Sequence, residues 1–208
     1  MLDNYEMDKN GVIKQINKKK IIYDFNYTSK SYDNKSVPVD NMSYLRLGYL
    51  LSNLGKVPSS LLDVGYGNGK FLQKAAGVIN NCFGFDVPPE YPLIDIPTVK
   101  NIYKNYYDVV CFFDSLEHFN NIYDIKEIKS NYIYISVPWC HYLSDDWFKE
   151  WKHRKEDEHL WHFNLQSLIN FMSDIGYKYL CHANIEDAIR LPYDKQYENI
   201  LTGIFKKC

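Results

Sequence analysis

An α/β fold, with a mostly parallel sheet and helices on both faces, is what this sequence predicts, and three observations predict it. From residue 60 onward, short apolar runs alternate with stretches of helical period. The stretch "LLDVGYGNGKFL" at 61–72 sets glycine at every second position, 65, 67 and 69, between an apolar run and a helical one. Glycine in that pattern marks backbone that bends tightly or approaches something closely. The composition is that of a globular chain: 208 residues, 46% hydrophobic and 16% aromatic.

Taken in order, residues 1–40 are polar and tyrosine-rich, with no clean periodicity apart from Ile21-Ile22-Tyr23. The next segment, "DNMSYLRLGYLLSNLG", predicts a helix. Asp40 or Asn41 can cap it, Leu47, Leu50, Leu51 and Leu54 recur at helical spacing, and Gly55 stops it. Then follow a strand "SLLDV", a helix "KFLQKAAGVI" and a strand "CFGFDV". "YDVVCFFD" and "NYIYISVP" read as long buried strands, and a helix runs from Asn164 to Gly176. "YKYLCHAN" and "NILTGIFKK" finish the chain as two strands. By length this is one domain, residues 58–208, preceded by an N-terminal lid or cap segment, 1–57.

A formal charge of -2 and a pI near 6.3 argue against a polyanionic partner, so no nucleic acid is expected. The short basic run Lys18 to Lys20 reads as a solvated face. Five cysteines, an odd number without a CxxC pair, fit buried thiols in a reducing cytoplasm. No apolar segment suits a signal peptide or a membrane span, which points to a cytoplasmic protein with no membrane partner. Nothing in the sequence speaks to oligomeric state.

Three nucleotide-binding readings of the glycine turn compete. A phosphate-binding loop fails, because Val64 stands where its first glycine belongs and Phe71 where Ser or Thr must hold magnesium. The dinucleotide fingerprint is a poor match, because it needs Gly or Ala at position 70, where Lys70 sits. What remains is strand–Asp–x–Gly–x–Gly–x–Gly–helix. Asp86 closes the second strand in "GFDV", 21 residues after Gly65, where an acid can accept hydrogen bonds from both hydroxyls of a ribose. "YDVVCFFDSLEHF", "ISVPW" and "EHLWHFN" follow in order.

With these four motifs the chain resembles the class I S-adenosylmethionine-dependent methyltransferases, over residues 58–208. In its LEH and EHLxxF segments it is similar to a subgroup acting on sugars, quinones and other small molecules. The resemblance implies a Rossmann-like, seven-stranded, mostly parallel sheet whose last strand is antiparallel. It implies S-adenosylmethionine as cofactor and S-adenosylhomocysteine as product. The loop Gly65, Gly67 and Gly69 would pass under the cofactor's amino-acid tail, with Asp63 orienting loop and ligand. Asp86 and Val87 would meet the ribose, and the backbone of Phe112, Phe113 and Asp114 would flank the methionine moiety. Asp95 is the candidate for the adenine end.

Methyl transfer to a hydroxyl or amine needs alignment and a proton acceptor. His118 and His159 are the candidates for that base. Holding the corner through a backbone hydrogen bond is the alternative for His118, and packing is the alternative for His159. His141 and His162 are placed on the acceptor side, again with packing as the alternative for His162. Tyr27 and Tyr32 are the candidate lid. The spacing of His153, His159 and His162 matches no common zinc pattern, so no metal is expected.

The function expected is methylation of a small molecule, a sugar or another metabolite. A methyltransferase of RNA or protein is the first alternative, and a non-catalytic cofactor-binding module the second.

Overall fold

The computed structural model describes residues 2–19, 36–87, 93, 95–192 and 196–208. A hairpin of β1 (Tyr5–Met7) and β2 (Ile13–Gln15) comes first, then the helix α1 (Ser36–Leu54). The strand β3 (Leu61–Val64), helix α2 (Lys70–Ala76) and strand β4 (Cys82–Phe85) follow. Next are β5 (Tyr106–Phe113), β6 (Lys129–Pro138), the short α3 (Asp145–Glu150) and β7 (Trp161–His162). The chain ends with α4 (Leu165–Asp174), β8 (Tyr177–Ala183) and β9 (Ile200–Lys207).

The main sheet has the order β4-β3-β5-β6-β9-β8. The first three pairings are parallel, and β9 runs antiparallel to both neighbours, as the resemblance implied for the last strand. Six strands are present among the described residues where seven were expected. Beyond β4, where the seventh would lie, there is a single parallel bridge between Gly84 and Thr98. Gly84 donates to the Pro97 carbonyl and accepts from the Val99 N–H, at 3.0 and 2.8 Å. Pro97 has no N–H of its own to extend that ladder.

Side-chain alternation divides the core between the two faces of the sheet. Leu62, Val64, Val110, Phe112, Ile133 and Ile135 face α4, meeting its Leu168, Phe171 and Met172. Leu61, Val109, Cys111, Phe113 and Tyr134 face α1 and α2, meeting Leu47, Leu50, Phe71 and Leu72. Every residue of β5 after Tyr106 is buried, which is why that stretch reads as one apolar run. The helix α4 starts on a capping box: Asn164 accepts from the Ser167 N–H at 2.8 Å, and Ser167 Oγ accepts from the Asn164 N–H at 3.0 Å.

Two local expectations are corrected. The helix α1 begins at Ser36, ahead of Asp40, because Pro38 is tolerated in a first turn that needs no N–H donors. Asp40 therefore sits inside the helix and pairs with Lys74 of α2 at 3.7 Å. The hairpin β1–β2 lies in a region read as aperiodic; strands of three residues are too short to show alternation. Asp8 Oδ1 closes its turn by accepting from Asn10 and Val12, each at 2.9 Å, and β2 then pairs with β7. All five cysteines are free, with Cys82, Cys111 and Cys140 buried.

Candidate active site

The carboxyl ends of β3, β4 and β5 converge on the glycine turn. Gly65, Gly67 and Gly69 all take positive φ, 79°, 57° and 71°. Gly65 donates to the Phe85 carbonyl at 2.7 Å, tying the turn to β4. A Cβ at Gly65 would lie 2.6 Å from Ser115 Cβ, and one at Gly69 would lie 2.1 Å from Leu93 Cδ2. Side chains of the protein, Ser115 and Leu93, thus take the space beside these two glycines that the sequence reading left to a ligand. Ser115 also donates its hydroxyl to the Val64 carbonyl at 2.6 Å, locking the start of the turn to the end of β5.

Asp86 meets the same turn. Its Oδ2 accepts from the Gly67 N–H and its Oδ1 from the Val87 N–H, both at 2.8 Å. Val87 itself is exposed, as is Asp95, which has a positive φ of 58°. Asp63 is buried, and its Oδ1 has no hydrogen-bond partner among the described residues. Burial, then the charge of Asp86, pushes its carboxyl up to about 7, with Arg46 opposing.

At the end of β5, Asp114 takes a left-handed φ of 51° and enters a partly buried cluster of four charges. Arg190 Nη1 donates to both Asp114 oxygens, at 2.8 and 2.7 Å, and to Glu186 Oε2 at 3.1 Å. Arg46, from α1, grips Glu186 in a bidentate pair at 2.7 and 3.0 Å and lies 4.3 Å over the Phe113 ring. Burial opposes ionisation of Asp114, but Arg190 and Arg46 hold its carboxyl well below the usual range. The Phe112 and Phe113 side chains are buried on opposite faces of the sheet, so only their backbone is available at the strand end.

The LEH corner is a 3-10 turn, Leu116–His118, and the "EHLWHF" segment docks on it. Leu160 donates its N–H to the Glu117 carbonyl at 2.8 Å, and Trp161 Nε1 donates to the Phe119 carbonyl at 2.7 Å. The His118 and His159 rings meet edge to face at 4.8 Å. His159 Nδ1 lies 2.8 Å from the His153 carbonyl; a carbonyl only accepts, so the proton sits on Nδ1 and the lone pair on Nε2. Glu117 is 1% exposed, and neither of its carboxylate oxygens has a hydrogen-bond partner among the described residues. Burial, then Asp114, raises its pKa well above the carboxylate range. Burial lowers His118, and burial with His118 lowers His159 to about 2, so both rings are neutral.

The remaining candidates lie elsewhere. His141 stacks on Trp139 at 5.6 Å and bonds the Glu198 carbonyl at 2.9 Å. His162, in β7, is buried among Tyr5, Phe148 and Trp151, and burial lowers it to about 3. That is a packing position, the other reading the sequence offered for it. Tyr27 and Tyr32 lie outside the described residues. Sequence reasoning passed over Arg46, Glu117, Glu186 and Arg190. Arg46 did carry a signal, a charge four residues before Leu50 on an otherwise apolar stripe.

The family of methyltransferase domains matches residues 42–182. A search of curated proteins finds no match. Among solved structures, the chain is similar to the plantazolicin methyltransferase BpumL in complex with a triazolic desmethylPZN analog and SAH. That likeness has 17% identity and a TM-score of 0.58, over 88% of this chain and 90% of that one. It is also similar to the magnesium protoporphyrin IX methyltransferase ChlM from Synechocystis PCC 6803 with bound SAH, at 12% identity and TM-score 0.57, over 91% and 90%. A third likeness is to the complex between the Haloferax volcanii Trm112 methyltransferase activator and a methyltransferase, at 14% identity and TM-score 0.61, over 90% and 99%. With more than half its length inside the family match, this chain belongs to the methyltransferase domain family and is a class I methyltransferase in fold and activity.

Proposed function

We propose that the chain moves a methyl group from S-adenosylmethionine to a hydroxyl or amine of a small acceptor. The observation that carries this is the meeting of the glycine turn, Asp86 and Asp63 at one end of the sheet. Asp86 is already oriented by two backbone N–H groups at the turn, and a carboxylate is the acceptor that ribose hydroxyls require. The orphan oxygen of Asp63 suits the positive charge of an amino-acid tail, which would also relieve the repulsion from Asp86.

When bound, the sulfonium supplies the methyl group in an in-line displacement: the acceptor's lone pair forms the new bond, and the breaking C–S pair stays on sulfur. The chain's part is to align the two and to receive the acceptor's proton. His118 and His159 are the neutral imidazoles at the corner. His159 already commits its Nδ1–H to the His153 carbonyl, and burial lowers both rings. A small acceptor is supported by the balanced surface charge and by neighbours named for plantazolicin and magnesium protoporphyrin IX.

Calorimetry with S-adenosylmethionine and S-adenosylhomocysteine, followed by methyl-label transfer to a panel of sugars, phenols and amines, tests the reading. Binding and transfer to one class support it. Binding with transfer to none of the panel favours the non-catalytic module, and tight, salt-steep RNA binding favours a nucleic-acid enzyme.

A further inference from the structure

The LEH corner contains more than a proton acceptor requires. Glu117, His118 and His159 each offer a ligand atom, and these atoms all lie within 4.8 Å of one another. A carboxylate buried with neither oxygen hydrogen-bonded is costly unless a cation or donor joins it. His159 donates its Nδ1–H to the His153 carbonyl and so turns its Nε2 lone pair toward the cluster. That backbone bond to the far side of the ring is how metal-ligating histidines are held. The His118 ring is itself oriented by the Glu158 carbonyl.

From this geometry we propose that Glu117, His118 and His159 form a binding site for one divalent first-row cation. Two imidazoles and one carboxylate suit Zn²⁺, Co²⁺, Fe²⁺ or Mn²⁺, with at least one coordination position left to a small oxygen ligand. Tetrahedral bonds of ~2.0–2.2 Å set ligand atoms about 3.4 Å apart. Glu158 lies beside the cluster, its Oε1 3.9 Å from His159 Nε2, but Lys155 already engages it at 3.0 Å. The site revises the expectation of no metal, which considered a different histidine set. Residues 117–118 and 159 come from segments some forty residues apart, so no local spacing marks them.

The catalytic consequence rests on the methyl-transfer reading, whereas ion binding does not. An acceptor hydroxyl on the open position would have its pKa lowered by the ion. It could then lose its proton to solvent, which removes the need for His118 as base.

The test is titration of chelator-treated protein with Co²⁺, followed by its visible absorption, with Zn²⁺ as competitor and S-adenosylhomocysteine calorimetry alongside. One Co²⁺ per chain is expected, displaced by Zn²⁺. Glu117→Gln and His159→Gln should each weaken it about ten-fold or more, with circular dichroism unchanged. Asp86→Ala should keep the ion and lose cofactor affinity. Cofactor binding that fails while Co²⁺ still binds would sink the methyl-donor reading and leave the metal site standing. No uptake of either ion by the wild type, or uptake undiminished in both variants, overturns the proposal. Should the variants unfold, X-ray absorption of the wild-type Co²⁺ complex decides: imidazole nitrogen scattering supports the site, and an all-oxygen shell overturns it.

Discussion

The backbone N–H of Gly67 and the carboxylate of Asp86 meet at 2.8 Å, so the turn after β3 and the end of β4 form one unit. The acid that would hold a ribose is also the acid that fixes the loop beneath it. Replacing it therefore has two effects that separate in measurement.

Asp86→Ala should weaken cofactor binding by ~1–3 kcal/mol, the loss expected for charge-assisted hydrogen bonds. The ligand-free protein should also melt earlier, because the Gly67 and Val87 N–H groups lose their acceptor. Calorimetry reads the first effect and a thermal scan the second. Unchanged affinity beside a lowered Tm would show Asp86 to be a loop anchor alone.

The Arg46–Glu186 pair is buried, with the Glu186 side chain fully enclosed. Glu186→Leu removes the two shortest hydrogen bonds of Arg46, leaving it Asp114 at 3.4 Å, and should cost ~3–5 kcal/mol in urea unfolding. Arg46→Leu combined with Glu186→Leu should cost clearly less than the two single changes added together, since the charges then leave as a pair. Simple additivity would mean that the contact contributes no coupling.

His162 ties stability to pH. Burial, with Arg154, lowers its folded pKa from 6.5 to about 3. Between those values the unfolded chain binds one more proton than the folded protein, so stability rises with pH across that window and is lost as pH falls through it. His162→Phe keeps a ring among Tyr5, Phe148 and Trp151 and removes a buried Nε2 that has no partner among the described residues. The variant should lose less stability between pH 6.5 and 4.5 than the wild type, as read by urea midpoints. Equal losses would show that His162 is not held neutral.

Much of the fold was legible along the chain. Strands β3, β5, β6, β8 and β9 and the helix α4 fall where periodicity, capping residues and glycines put them, because those signals act between near neighbours. The seventh strand was not, since its place is held by a proline-bearing segment that makes one bridge to Gly84. Nor was the β1–β2 hairpin, whose pairing depends on β7, nearly 150 residues away.

The sequence by itself determined the order of strands and helices, the glycine turn and the family to which they point. Those follow from backbone preference and apolar spacing, which neighbouring residues set. Only the tertiary structure decided that Arg46 and Arg190 neutralise Glu186 and Asp114, that His162 packs away from the corner, and that Glu117, His118 and His159 face one another. Such meetings depend on sheet register and on how crossovers return to the sheet, and burial then makes each polar group take whatever partner that geometry supplies.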